Sequence, residues 1–257
     1  MSPEVSPAGS GHAEHRQYVR APIVEAILQL SFADSESIPH EAIAPVVDAL
    51  RVQYPERKEL FGVAGEFKPA AHGFEIVSTE RNAAGVQLEE TGGHRLVRIL
   101  TSAVSVHEVR PYAGWNAFRA CAREVFSVYE AHMPPRTISR IGVRYVNRLE
   151  LPADCGDLKL WVTSAPDIPE GLPQFVSTYA VEIAMPQPDL PATVGIMRQA
   201  LLEVQDSIAV PIILDIELVS NAPVGMATAW DVIEMLHERE HLIFEHTITD
   251  RVRSLIA

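Results

Sequence analysis

Two amphipathic helices, each with a tryptophan near its predicted start, place the strongest constraint on the fold of this chain. Apolar residues repeat at helical spacing after Trp115 and again after Trp230. A helix of this kind must bury its apolar side against another element. Strand-like segments precede both helices, at residues 96–109 and 212–219. The pattern therefore predicts two helices that each cover one face of a sheet.

The two helices also match each other position by position. A shift of 115 residues places Trp115 on Trp230 and superimposes the apolar positions that follow them. One interpretation is an internal duplication, with similar halves at residues 18–151 and 174–257 joined by a connection rich in Pro and Gly at residues 152–173. The other is two unrelated helices with the same need to cover a sheet, within one continuous domain.

The remaining segments read mostly as antiparallel strands. Short segments between residues 61 and 109, divided by glycines, predict a meander, and residues 198–204 fit either a strand or a helix. The predicted fold class is α+β, with antiparallel meanders covered by amphipathic helices. The other predicted elements are strands at 22–32, 137–151 and 179–183, helices at 39–55 and 158–162, a final helix capped by Thr228 and ending near Ile248, and a disordered tail at 1–17.

The strand at residues 137–151 has one apolar and one cationic face. Arg140, Arg144 and Arg148 alternate with apolar residues and share one side. We call these three residues the arginine face. Guanidinium groups suit phosphates and carboxylates, so the arginine face predicts a site for an anionic ligand or an acidic partner.

The alternative for the arginine face is pairing with carboxylates of neighbouring strands. Asp215 lies in an otherwise apolar strand and needs a partner, for which Arg144 is available. The glutamates that could serve the arginine face are Glu75, Glu89, Glu182 and Glu217.

A literal H-E-x-x-H motif lies on the final helix. His237 and His241 lie four residues apart and could hold zinc, with Glu238 as the general base of a metal-dependent hydrolase. The extended form of the motif needs a third histidine ten positions after the first, where this chain has Thr247, and His246 falls one residue short. The prediction is therefore no metal and no cofactor, with the hydrolase kept as an alternative.

Composition limits the classes of function. The formal net charge of −13 disfavours general nucleic-acid binding. The only cysteines, Cys121 and Cys155, are too few for a disulfide framework. No run reaches the ~18 apolar residues of a membrane span, and residues 1–17 resemble no signal peptide. We expect a cytoplasmic protein without membrane contact, and exposed meander edges favour a homodimer.

Three short blocks resemble a sporadically distributed prokaryotic family of uncharacterised proteins. They are Ala21-Pro22-Ile23-Val24-Glu25-Ala26, residues 140–148 with the sequence RIGVRYVNR, and a closing segment with Leu236-His237, Phe244-Glu245 and Ile248-Thr249. The resemblance implies a bacterial, cytosolic protein of about this size and carries no catalytic residues over to this chain.

The leading functional hypothesis is a non-enzymatic binding or interaction protein that uses the arginine face. A second alternative beside the hydrolase is a small-molecule sensor, with a site for an anionic metabolite between the halves.

Overall fold

Nine strands pair in one antiparallel sheet. The computed structural model describes residue 16 and residues 18–33, 38–70, 73–174, 176–202 and 209–257, without the side chains of residues 63–82. The strands are β1 (Ile23–Phe32), β2 (Glu56–Ala70), β3 (Gly73–Glu89), β4 (Arg95–Leu100), β5 (Ala103–Val109), β6 (Ile138–Pro152), β7 (Tyr179–Pro186), β8 (Thr193–Leu201) and β9 (Ala209–Ser220). Their order across the sheet is β2-β3-β4-β5-β1-β6-β9-β8-β7. Each strand is hydrogen-bonded to its neighbours in this order, so the sheet is continuous from β2 at one edge to β7 at the other.

Within the described residues, four α-helices accompany the sheet. They are α1 (Ala44–Leu50), α2 (Trp115–His132), α3 (Met226–Thr247) and α4 (Asp250–Ile256), with 3-10 turns at His40–Ile43 and Leu158–Leu160. The Tyr129 ring on α2 stacks on Phe32 of β1, with ring centroids 5.3 Å apart. Tyr145 of β6 contacts His237 of α3. Because the register of β1 and β6 puts Phe32 and Tyr145 on the same face, α2 and α3 cover one side of the sheet.

The core lies between that side and the helices. Alternate residues of the central strands are fully buried, as Leu28 and Leu30 are in β1 and Val143 is in β6. The intervening residues, the arginine face among them, lie on the other side of the sheet, which we call the open face. The α+β class, the antiparallel pairing and the covering of the sheet by helices are confirmed.

The glycine-rich stretch gave a partly wrong prediction. Instead of short segments, β2 and β3 are strands of 15 and 17 residues, although Gly92 and Gly93 do form the predicted turn, both with positive φ. Gly85 lies inside β3, where the register with β2 shifts. A Cβ at this position would lie 2.2 Å from the Ile99 carbonyl oxygen, so glycine permits close strand approach here instead of ending the strand.

Several predicted boundaries also change. Helix α3 begins at Met226 with Gly225 as its N-cap, so Thr228 does not cap it and Trp230 lies one turn inside. The predicted helix at 39–55 is a 3-10 turn followed by the short α1, and residues 198–201 belong to β8. The tail predicted at 1–17 lies outside the described residues except for Arg16. None of the described helices is both long and apolar enough to cross a membrane.

Candidate functional site

A cavity of about 600 Å³ lies between α2 and α3, at the ends of β1 and β6 that lie beside these helices. We call it the α2–α3 cavity. Its volume falls within the range of small-molecule sites, roughly 300–1,000 Å³. Its aromatic and acidic lining residues are Tyr18, Tyr112, Trp115, Tyr145, Glu234, His237, Glu238, Glu240 and Phe244. The chain therefore brings residues from its first and second parts to one cavity.

Aromatic rings form much of the wall. The rings of Tyr112 and Tyr145 stand perpendicular, with centroids 5.7 Å apart, and their hydroxyl oxygens lie 3.0 Å from each other. Trp115 stacks on His237 with ring centroids 3.8 Å apart. His237 Nδ1 lies 3.3 Å from the Tyr145 hydroxyl. Four rings from three parts of the chain thus form one continuous surface.

Glu240 is the unusual group in this wall. Its side chain is on α3 among buried apolar residues such as Leu236 and Phe244, and it is 5% exposed. Among the described residues, no side chain or backbone group forms a hydrogen bond or ion pair with its carboxyl. Burial raises the pKa of the Glu240 carboxyl well above its ordinary value of 4.5. A buried carboxyl without a partner is costly to a fold, so this position invites a functional explanation.

Other glutamates fix the surroundings of the cavity. Glu108 is buried on β5, and its carboxylate accepts hydrogen bonds from Arg95 Nε at 2.8 Å and the Ala113 backbone N–H at 2.7 Å. This holds the segment that carries Tyr112. Glu234 of α3 accepts from Trp115 Nε1 at 3.0 Å and from an Arg119 guanidinium N–H at 2.6 Å. These two bonds tie α3 to the start of α2.

The H-E-x-x-H residues all line the cavity, but the structure does not arrange them as a zinc site. The described residues contain no group of three or more His, Cys, Asp or Glu side chains able to hold a metal ion. His237 packs flat against Trp115 and faces the Tyr145 hydroxyl. The lining of the α2–α3 cavity thus contains His237, Glu238 and His241 together with aromatic rings.

The arginine face lies on the open face of the sheet, away from the cavity, and its residues have carboxylate partners. Arg144 binds Asp215 through two hydrogen bonds of 2.8 and 2.7 Å, the pairing that the sequence suggested. This bond raises the pKa of the Arg144 guanidinium. Arg140 binds Glu217 at 2.5 Å, and Arg148 binds the exposed Glu150.

Arg198 extends this network, because it contacts both Asp215 and Glu217 and also binds Glu182. Of the other glutamates considered as partners, Glu89 binds Lys58. The side chain of Glu75 lies outside the described residues.

A second polar cluster lies on the open face. Ser105 Oγ is 2.9 Å from His107 Nε2, and His107 Nδ1 is 2.8 Å from a Glu25 carboxylate oxygen. Burial lowers the pKa of His107, and the hydrogen bond from His107 lowers the pKa of Glu25. The atom order matches a Ser-His-acid relay. However, Ser105 is 5% exposed and its strand pairs on both sides, which favours a structural network.

The predicted site residues did not include Tyr112, Tyr145 or Glu240. Glu240 occupies a position of the apolar stripe, since Ile233, Leu236 and Phe244 are its buried neighbours at helical spacing. An ionisable residue within an apolar stripe was the available signal.

Comparison with models of known protein families and with curated protein sequences finds no significant match to this chain. The resemblance of three short blocks to a prokaryotic family therefore stays a hypothesis.

Proposed function

We propose that this chain is a non-enzymatic binding protein that holds a small organic molecule in the α2–α3 cavity. The observation that carries the proposal is the cavity itself, about 600 Å³ in volume, with aromatic walls and the unpartnered Glu240. Apolar walls with a few polar groups are typical of ligand sites. The ties from Glu234 and Glu108 hold these walls in position before any ligand binds, which reduces the entropy cost of binding.

The position of the cavity also bears on the organisation of the chain. We propose that residues 18–151 and 174–257 are similar halves. In support, each contains strands followed by a long helix, since α2 follows β5 in the first and α3 follows β9 in the second. On this proposal the ligand lies at the junction of the halves, which is where the small-molecule sensor hypothesis places its site.

We expect a ligand from a panel of nucleotides, organic acids, amino acids and amines to raise the melting temperature of the protein. An Asn116→Trp variant should lose that shift, because Asn116 is an exposed residue that lines the cavity and an indole there narrows it. The matched control is Ala117→Trp, which adds the same ring at an exposed neighbouring position outside the lining. The proposal fails if no compound shifts the melt or if both variants respond like the wild type.

The arginine face supports a second candidate, a surface for an anionic ligand or an acidic partner. The guanidinium groups are the outer layer: the Arg144 side chain is 38% exposed and that of Arg140 31%, whereas their partners Asp215 and Glu217 are 7% and 14% exposed. An approaching anion therefore meets arginine before it meets carboxylate. This arrangement favours anion binding even though the charges of the network balance.

Arg148 offers the cleanest test of this second candidate, since it and Glu150 are both well exposed. We expect Arg148→Ala to weaken binding of a fluorescein-labelled hepta-glutamate peptide severalfold at low salt while the melt is unchanged. Arg51→Ala, at an exposed arginine on the helical side of the fold, serves as the control. Equal binding by the wild type and both variants, or no binding by any of them, contradicts the candidate.

A further inference from the structure

Glu240 points to the chemical class of the ligand, an inference that rests on the proposed binding function. The Glu240 side chain lines the cavity with 5% exposure, and among the described residues no hydrogen bond or ion pair holds its carboxyl. Burial raises the pKa of this carboxyl well above its ordinary value. A native fold rarely keeps a buried polar group unsatisfied without a use for it.

The neighbouring cations are engaged elsewhere. Arg119 donates to Glu234 at 2.6 Å. Arg239, next to Glu240 in the chain, binds Gln187 and Asp189 on the outer side of α3. Neither guanidinium contacts Glu240. Among the described residues, neither of these two arginines supplies a positive charge to Glu240, and a cationic ligand would supply it.

The walls of the cavity suit a cation with an apolar body. The rings of Tyr112, Trp115 and Tyr145 present aromatic faces and edges, and aromatic faces attract ammonium groups. The lining holds the carboxyls of Glu234, Glu238 and Glu240 beside Arg16, Arg119, His237 and His241, and Glu234 is already paired with Arg119. An anionic ligand would place its charge beside the Glu240 carboxyl and keep that carboxyl protonated, so Glu240 favours a cation over the anionic metabolite suggested by the sequence.

We propose that the α2–α3 cavity binds an organic primary or secondary amine, whose ammonium group donates a charge-assisted hydrogen bond to Glu240 while Tyr112, Trp115 and Tyr145 enclose its apolar part. In this complex Glu240 is ionised. Since the carboxyl favours its protonated form in the empty cavity, binding of the ammonium releases a proton and strengthens as the pH rises. An ammonium–carboxylate bond in a desolvated site is stronger than a neutral one.

Three compounds with one carbon skeleton test the charge preference on the wild-type chain. They are 2-phenylethylamine, 2-phenylethanol and phenylacetate, which are cationic, neutral and anionic at pH 7.5, and titration calorimetry or the fluorescence of Trp115 measures their binding. We expect the amine to bind at least about tenfold more tightly than the alcohol, and phenylacetate to bind most weakly. We also expect the affinity for the amine to rise between pH 6 and pH 8.

Glu240→Gln is the matching variant, and it should reduce the preference for the amine over the alcohol to about threefold or less. Asp231→Asn removes one carboxylate at an exposed position of α3 outside the cavity lining and should keep the preference. Equal affinities for amine and alcohol, tighter binding of phenylacetate, or binding of none of the three overturns the inference. The proposed function is judged separately, because a hit from the wider panel that Asn116→Trp blocks would uphold the cavity as a site for some other ligand.

Discussion

The stability of the wild-type protein should fall with rising pH relative to a Glu240→Gln variant. Glu240 has its pKa raised by burial, from an ordinary value of 4.5. Above pH 4.5 the unfolded chain loses this proton while the folded chain keeps it, so the unfolded state binds fewer protons and the free energy of unfolding decreases. The stabilising contribution is complete below pH 4.5 and is lost as the pH rises through the folded pKa. The slope is about 1.4 kcal/mol per pH unit for one proton.

The amide introduced by Glu240→Gln cannot titrate, so the difference between the two unfolding free energies isolates this one group. Urea denaturation of both proteins at intervals from pH 5 to pH 8 measures it. The ionisable groups that interact with Glu240, Tyr112 and Tyr145, are present in both proteins, and their effects cancel to first order. His107 and Glu25, with lowered pKa values, destabilise both proteins equally as the pH falls.

Asp231→Asn again supplies the control, because that side chain is exposed on the same helix and outside the cavity lining, so its replacement should leave the pH dependence of the wild type in place. Parallel curves for the wild type and Glu240→Gln would falsify the assignment of a raised pKa to Glu240. The same result would remove the reason for expecting proton release when an amine binds.

Local patterns predicted most of the elements of this fold. The alternation at residues 137–151 gave β6 to within one residue at each end, and the apolar stripe after Trp115 gave α2. The spacing of apolar residues within one helix or strand shows which of its sides is buried, so a short stretch of sequence is enough to predict that element. The glycine-rich stretch was predicted as short segments, but Gly85 allows β4 to approach β3 closely. This requirement comes from β4 and is not visible in the sequence of β3 alone.

The site was less predictable because it depends on contacts between distant segments. Tyr112 and Tyr145 are separated by 33 residues, and Trp115 and Glu234 by 119 residues, so no local pattern relates them. The motif that stood out in the sequence, His237 with His241, did fall on the cavity. The stacking of His237 on Trp115 was not predictable, because it depends on how α2 and α3 pack.

The second large effect should come from Arg144→Ala, through the carboxylate that it leaves behind. Asp215 has a side chain that is 7% exposed, and after the change its nearest remaining cation is Arg198, at 3.6 Å. Removing one partner of a buried pair costs about 3–5 kcal/mol. Since Arg144 itself is 38% exposed and Arg198 remains, we expect a loss of about 2–3 kcal/mol in the free energy of unfolding.

Arg148→Ala provides the matched comparison on the same strand and face. Its partner Glu150 is 47% exposed, so we expect a loss below about 0.5 kcal/mol. Adding Asp215→Asn to Arg144→Ala should recover part of the lost stability, because it removes the charge that has become unpaired. Urea denaturation of the four proteins measures these differences.

Equal small losses at both arginines would mean that Asp215 is solvated well enough to stand alone, and Arg144 would then be available to a ligand. If Arg144→Ala greatly lowers the free energy of unfolding and Asp215→Asn recovers it, the residues of the arginine face have different roles. Arg144 then neutralises a carboxylate beneath it, and the capacity to meet an anion lies with Arg148 at the exposed end of β6. Because the two arginines share a strand and a face, their different behaviour would follow from the burial of their partners alone.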